Sequence, residues 1–228
     1  MNANEMIDEI EKIFPDAECE LVHGNTFQLL CAVILSAQTT DASVNRVTGP
    51  LFEAYPDARQ MAKASVEEIE PYIQSLGLYH NKAKSLSAMS RDLLERFDGV
   101  VPSSYEDLQS LAGVGRKTAN VVRSVAFHIP SLAVDTHVER VSKRLGLSKV
   151  NATVAQVEKD LMAQIDQERW NQAHHDLIFF GRYLCTAKKP QCSRCPFQGI
   201  CHDNEYEDYK RLEREKSNGR KKQKRSAA

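Results

Sequence analysis

The stretch Leu111-Ala-Gly-Val-Gly-Arg-Lys-Thr-Ala-Asn120 separates two segments with helical periodicity and decides the fold. Gly113 and Gly115 permit positive φ and let another backbone approach closely. The turn leads directly into a helix, whose first N–H groups and dipole favour a phosphate. Such a contact positions a nucleic acid without reading its sequence. A Gly-x-Gly turn alone also suits a simple connection between two packed helices. The functional interpretation therefore depends on the residues that follow, Arg116-Lys-Thr-Ala-Asn120.

Helical patterns fill the rest of the chain as well. The predicted helices cover residues 4–14, 27–37, 41–55, 65–76, 82–97, 105–111, 116–127, 135–145, 153–165 and 170–184. Pro71 is expected to bend or split the segment 65–76. Because no alternating apolar run is long enough to suggest a sheet, the predicted fold class is all-α.

Four of the six cysteines form the pattern Cys185-x6-Cys192-x2-Cys195-x5-Cys201. We expect no secretion signal, because neither a basic nor an apolar segment precedes Asp8 and Glu9. A metal site is therefore favoured over a disulfide framework. Four thiolates in a short loop can hold zinc or an iron–sulfur cluster. The Cys-x2-Cys pair by itself leaves zinc open.

Charge is distributed unevenly along the chain. The net charge is −1, yet residues 210–228 contain nine basic and two acidic side chains. This basic segment is predicted to be a disordered tail, which could hold a polyanion or simply be solvated. The apolar run 29–35 is far too short for a bilayer, which needs about 20 residues. We therefore expect a cytoplasmic protein with no membrane partner.

Two of these patterns, together with a third motif at residues 134–137, resemble the endonuclease III family of helix-hairpin-helix DNA glycosylases. The family hairpin reads Leu-Pro-Gly-Val-Gly-Arg-Lys-Thr-Ala-Asn, and residues 111–120 differ only at Ala112, where proline is usual. Losing proline should loosen the turn slightly. The segment Val134-Asp-Thr-His137 and the complete cysteine spacing match further family motifs. The resemblance covers roughly residues 1–205.

The resemblance implies an architecture of two helical domains. A six-helix domain would span 20–129, with the helix-hairpin-helix at about 104–127. An iron–sulfur cluster domain would combine 1–19 with 130–209, leaving the tail 210–228 outside. A DNA groove between the domains would place Lys117 and Asp135 on facing walls.

The resemblance also implies a bifunctional DNA glycosylase and abasic-site lyase of base excision repair, acting on oxidised pyrimidines in damaged double-stranded DNA. Lys117 would attack the sugar C1′, form a Schiff base and promote β-elimination on the 3′ side. The helix dipole and burial against DNA would both favour the uncharged, nucleophilic amine. Asp135 would stabilise the oxocarbenium-like state, and it also suits a helix N-cap. Cys185, Cys192, Cys195 and Cys201 would hold a structural [4Fe–4S] cluster.

Further DNA-binding roles follow from the same resemblance. Gln38 would fill the gap left by a flipped nucleotide, and Leu78 would press against the opposite strand. Alternatively, Gln38 is a polar residue at a helix end and Leu78 a core leucine. His137 would shape the pocket or contact a phosphate, or lie on a helix surface. The hairpin residues assigned to DNA binding are Gly113, Val114, Gly115 and Arg116.

Two other functions fit part of the pattern. A monofunctional glycosylase for adenine or for mismatched thymine or uracil would use water as nucleophile and usually lacks the hairpin lysine. A non-catalytic helix-hairpin-helix protein would bind DNA without needing Lys117 or Asp135. We expect a monomer associated with the nucleoid through DNA binding. No motif encodes the lesion preference.

Overall fold

The computed structural model describes the backbone of residues 1–226 and the side chains of residues 1–217. Every regular element in that part of the chain is helical, which confirms the all-α prediction. None of the helices described there is both long and apolar enough to span a bilayer. The chain divides into two compact units. The hairpin unit is Glu18–Ala133, and the cysteine unit combines Met1–Ala17 with Val134–Ala228. The corresponding predicted boundaries are residues 20 and 129.

The hairpin unit is built around one almost wholly buried helix. Its helices are α2 (Thr26–Leu35), α3 (Asp41–Ala54), α4 (Ala58–Met61), α5 (Val66–Ile73), α6 (Tyr79–Phe97), α7 (Tyr105–Gln109) and α8 (Arg116–Phe127). Because α2 is apolar on all sides, it can pack against α3, α6 and α8 at once. Each large apolar side chain buried there contributes about 1.5–3 kcal/mol.

Pro71 does not split helix α5, which runs unbroken from Val66 to Ile73. The proline deprives only the Glu67 carbonyl of its helical partner, and Glu67 is exposed to water. A capping box between Ser65 and Glu68 stabilises the other end of the helix. The short helix α4 was not predicted; the Asp57 side chain caps it.

The cysteine unit joins the two ends of the chain. Its α-helices are α1 (Ala3–Ile13), α9 (Thr136–Arg144), α10 (Val154–Gln164), α11 (Trp170–Phe179) and α12 (Asp203–Ser226). Helix α1 packs on α10 and α11, while α9 packs on α10, α11 and α12. A π-helical turn, Phe180–Leu184, follows α11 and delivers Cys185 to the loop.

The basic C-terminal segment differs from the disordered tail that the sequence predicted. Helix α12 begins at Asp203 and continues to Ser226. Its composition explains the difference, since Glu, Lys, Arg and Gln are good helix formers. Pairs at i,i+3 spacing add support, with Lys210 4.0 Å from Glu213 and Arg211 2.9 Å from Asp208. The side chains from residue 218 onward lie outside the described part.

Candidate active site

Between the two helices of the hairpin, at residues 110–115, one residue has a positive φ. Gly113 has φ +77°, as predicted, and a Cβ there would lie 2.7 Å from Ser85 Cβ on α6. Gly115 differs from the expectation. Its φ is −95°, and an added Cβ would meet nothing within 4 Å. Gly113 is therefore required by the backbone conformation of the turn and by its close approach to Ser85. Gly115 leaves open space in front of α8.

This contrast gives a paired prediction. Gly113→Ala should lower the free energy of unfolding by about 1–3 kcal/mol, because φ is unsuitable and Ser85 is too close. Gly115→Ala should lower it by less than about 1 kcal/mol, the scale of a changed N-cap. The added methyl group should nonetheless weaken DNA binding by blocking approach to the helix N-terminus. Urea unfolding and duplex titration of both variants measure the two effects. Equal destabilisation by the two substitutions would contradict the assignment.

Ala112, the departure from the usual proline, makes a contact that proline could not make. Its N–H donates to Asp92 Oδ2 of α6 at 3.3 Å. This bond offsets part of the expected loosening. Val114 is buried in the core, and its N–H donates to the Leu111 carbonyl at 3.2 Å. Both contacts position the turn, and binding of DNA by Val114 stays a prediction.

Lys117 lies on the first turn of α8 and is half-buried. The Gly115 N-cap provides no side-chain hydrogen bond, and the first turn contains no acidic residue. Arg116 is exposed, and its Nε donates to the Tyr105 hydroxyl at 3.2 Å, which ties α8 to α7. Two cations at the positive end of a helix dipole destabilise an isolated helix but favour a bound polyanion.

Asp135 is the N-cap of α9, as the sequence allowed. Its Oδ1 accepts hydrogen bonds from the N–H groups of His137 (2.8 Å) and Val138 (2.9 Å). The residue is half-buried. The cap fixes the carboxylate at the start of the helix. Lys117 and Asp135 thus each occupy the first turn or cap of a helix, one in the hairpin unit and the other in the cysteine unit.

His137 is half-buried beside the π-helical turn and does not stand on an open helix surface. A Cβ added to Gly181 would lie 2.9 Å from His137 Cβ. Arg140 Nη2 lies 3.4 Å from His137 Nδ1 and donates to the Gly181 carbonyl at 2.7 Å. Burial, together with nearby arginines, lowers the pKa of His137 despite the opposing charge of Asp135. The lowered pKa favours the neutral imidazole in the protein without DNA.

The four cysteines line one recess of the cysteine unit. Its wall also includes Arg144, Leu145, Phe180, Leu184, Pro190 and Asp203. Cys185 is buried and Cys192 exposed, while Cys195 and Cys201 are intermediate. Phe180 and Phe197 pack with ring centroids 5.5 Å apart, which anchors the loop to the π-helical turn. The structure thus brings together the four residues that the spacing singled out.

The donor set fits a cluster that spans the recess. The loop 185–201 brings four cysteine thiols to one recess. Zinc needs all four sulfurs about 2.3 Å from a single point, whereas a four-iron cluster is held by four cysteines around a larger core. Burial raises the pKa of the Cys195 and Cys201 thiols. Binding cationic iron would therefore release their protons.

Arg144 is a site residue that the sequence analysis missed. It is almost completely buried. Its guanidinium lies 3.5 Å from Cys185 Sγ and donates to the Thr186 carbonyl at 2.9 Å. It also pairs with Asp203 (2.6 Å) and Glu207 (2.8 Å) at the start of α12. The arginine links α9, the cysteine loop and α12, and no local motif marks it.

Gln38 and Leu78 share two unusual properties. Both have left-handed backbones, with φ 54° and 61°, although neither is glycine. Both are exposed, and Leu78 has 54% of its surface accessible. A left-handed leucine costs about 1–2 kcal/mol, and such strain tends to occur at functional positions. The core-leucine alternative for Leu78 is therefore wrong.

Asp176 on α11 is a second residue that the sequence analysis missed. It is fully buried, and Gln172 Nε2 donates to its Oδ1 at 2.9 Å. Its Oδ2 has no hydrogen-bond partner among the described side chains. Burial raises the pKa of Asp176 to about 7, with nearby Glu11 adding to the shift and Arg169 opposing it.

A pH dependence of stability follows from this carboxyl. Because its folded pKa is raised, its contribution to stability is full below about pH 4 and is lost as the pH rises through 7. Asp176→Asn should therefore exceed wild type in stability at pH 8. The difference should grow between pH 4 and 7 and then level off at roughly 2–4 kcal/mol. Urea unfolding at pH 5 and 8 measures it, with the exposed Asp16→Asn as control. A difference independent of pH would contradict the assignment.

Two family models match this chain. The model of the HhH-GPD superfamily of base excision DNA repair proteins matches residues 31–167. The iron–sulfur binding domain of endonuclease III matches residues 185–201. Endonuclease III of Bacillus subtilis (strain 168) is 51% identical, covering 90% of this chain and 94% of its own. Endonuclease III of Escherichia coli (strain K12) is 40% identical, covering 90% and 96%.

Solved structures give the same grouping. A trapped endonuclease III–DNA covalent intermediate is 52% identical, with a TM-score of 0.86, covering 88% of this chain and 94% of its own. A non-covalent endonuclease III–DNA complex is 50% identical, also with a TM-score of 0.86, covering 90% and 96%. A thermostable thymine-DNA glycosylase, at 21% identity and a TM-score of 0.80, shares the fold.

Proposed function

The chain belongs to the endonuclease III family within the HhH-GPD superfamily, and from this premise we propose that Lys117 and Asp135 excise oxidised pyrimidines from double-stranded DNA. The protein is a DNA glycosylase and abasic-site lyase of base excision repair, its partner is damaged duplex DNA, and its cofactor is a [4Fe–4S] cluster. The observation that carries the residue assignment is the N-terminus of α8. The first turn of α8 contains Lys117, no acidic residue and no side-chain cap, and the space in front of Gly115 is open.

Lys117 is assigned the nucleophilic step. Its Nζ forms a bond to the sugar C1′, the glycosidic bond breaks, and the base leaves after taking up a proton. Ring opening gives a Schiff base between Nζ and C1′. Loss of a C2′ proton then expels the 3′ phosphate, and water releases the lysine. Half-burial restricts the lysine side chain before DNA arrives, which favours a productive orientation.

Asp135 is assigned the electrostatic step. Positive charge develops on the sugar while the base departs, and a fixed carboxylate stabilises it. The two N–H groups at 2.8 and 2.9 Å hold Oδ1 in place before the reaction begins. Little reorganisation is then needed as charge develops, which is the condition under which such stabilisation is strongest.

The DNA-binding residues are assigned by exposure and backbone geometry. Gln38 and Leu78 stand outward on strained turns, as residues that enter a duplex must. Gly115 and Arg116 lie at the α8 N-terminus, where a phosphate would bind. We assign His137 a structural role in the cysteine unit near Asp135. Arg116 is the residue proposed to make the charged contact with phosphate.

Cys185, Cys192, Cys195 and Cys201 are proposed as the cluster ligands, with Arg144 supporting the Cys185 thiolate. When bound, the cluster cross-links the loop 185–201 and supplies no chemistry to bond cleavage. We further propose that the protein acts as a monomer in the cytoplasm and associates with the nucleoid through DNA binding.

Borohydride trapping with the wild-type protein tests the function. A duplex containing an oxidised pyrimidine should yield a covalent adduct with borohydride and a 3′-side nick without it. Duplexes with adenine opposite 8-oxoguanine, or thymine opposite guanine, serve as matched substrates. Release of a mismatched base without an adduct would favour the monofunctional alternative. Tight binding without any product would favour the non-catalytic one.

A further inference from the structure

Lys82, which the reaction does not use, is a buried ammonium group with one polar partner. Only 5% of its surface is accessible. Its Nζ donates to Thr39 Oγ1 at 2.6 Å. Among the side chains that the structure describes, Thr39 is the sole polar partner of this amine, and no carboxylate pairs with it. Burying a cation without an opposite charge is costly, so this arrangement calls for a compensating role.

The position of Lys82 suggests that role. Its backbone N–H donates to the Leu78 carbonyl at 3.0 Å, so the lysine lies one helical turn beyond the strained Leu78. Thr39 directly follows the strained Gln38, and its N–H donates to the Ser36 carbonyl at 3.0 Å. A single hydrogen bond therefore connects the two turns that expose Gln38 and Leu78, across 43 residues of sequence.

We infer that Lys82 is a positioning residue whose bond to Thr39 fixes the Gln38 turn against the Leu78 turn, so that the two side chains enter a duplex as one rigid pair. The inference rests on the proposed function, in which these residues fill the gap and press on the opposite strand. Two separately mobile insertions would each lose conformational entropy on entering DNA. A preset spacing removes part of that loss where the base pair must be broken.

Two substitutions remove the bond from either side. Lys82→Met keeps a long unbranched side chain and removes the buried charge, while Thr39→Val removes the hydroxyl at nearly constant volume. Thr39→Ser keeps the hydroxyl and is the matched control. The unfolding temperature of each variant is measured on the protein with its cluster bound.

The substrates separate positioning from general damage. One duplex carries the lesion opposite a normal base, and a second carries it opposite a one-nucleotide gap, where little unstacking is needed. We expect Lys82→Met and Thr39→Val to lower kcat/KM about 10-fold on the paired duplex and less than about 2-fold on the gapped one. Fluorescence of 2-aminopurine beside the lesion should rise less in both variants than in wild type. Thr39→Ser should behave as wild type.

A double-mutant cycle with Gln38→Ala completes the test. If the bond acts through Gln38, Lys82→Met should lower kcat/KM on the paired duplex much less in the Gln38→Ala background than in the wild-type background. The inference would be overturned if the variants lost kcat/KM equally on the paired and gapped duplexes. It would also be overturned if the effects of Lys82→Met and Gln38→Ala on kcat/KM were strictly additive. Failure of the proposed function is distinguished by the wild-type arm, which would then show neither excision nor a borohydride adduct. If Lys82→Met does not fold, Thr39→Val decides the outcome.

Discussion

Replacing Lys117 by alanine is expected to abolish the borohydride-trapped adduct and to lower strand cleavage at abasic sites by at least about 10³-fold. The reason is loss of the one amine placed at the open N-terminus of α8, since effective concentrations of well-oriented groups are very large. The measurement is trapping on a duplex with a preformed abasic site, followed by mass spectrometric mapping of the adduct.

Controls distinguish loss of the nucleophile from loss of charge. Lys117→Arg retains a cation for DNA binding but has no amine that forms a Schiff base, so it should bind near wild-type strength without trapping. Lys159→Ala removes an exposed lysine from α10 and should trap normally. An adduct at wild-type yield in Lys117→Ala would show that another amine is the nucleophile.

Asp135→Asn is expected to lower base excision by about 10²- to 10³-fold, the usual cost of removing one preorganised electrostatic group. Asparagine caps helices as well as aspartate does, so the hydrogen bonds to His137 and Val138 and the unfolding temperature should persist. The measurement is single-turnover release of an oxidised pyrimidine, with unfolding followed in parallel.

Two comparisons isolate the charge of Asp135. Asp135→Ala loses both cap and charge, so it should match the asparagine variant in excision but lose a further 0.5–2 kcal/mol or so of stability. With a preformed abasic site, where no glycosidic bond remains, Asp135→Asn should still form the Schiff base. If Asp135→Asn released the base at the wild-type rate, the role of Asp135 would be limited to capping α9.

Local patterns predicted much of the candidate site. Turn glycines, helix periodicity and cysteine spacing depend on neighbouring residues. The hairpin, the placement of Lys117 and Asp135 near the starts of α8 and α9, and the cysteine loop could therefore be predicted from the sequence. The same logic failed at Gly115, because φ at the second glycine depends on how α8 begins. It also failed for the tail, where charge suggested disorder and helix propensity prevailed.

The sequence alone predicted the all-α fold class, the hairpin motif and the four thiol donors, and its resemblance to a known family supplied the two residues proposed for chemistry. Tertiary structure decided which side chains are buried and which stay exposed. It buries Lys82 against Thr39, 43 residues away, and Asp176 inside the cysteine unit. It also sets Gly113 against Ser85 and leaves Leu78 exposed. The physical reason is that propensity and spacing act between neighbours in the chain, whereas desolvation and steric contact depend on partners that only packing brings together.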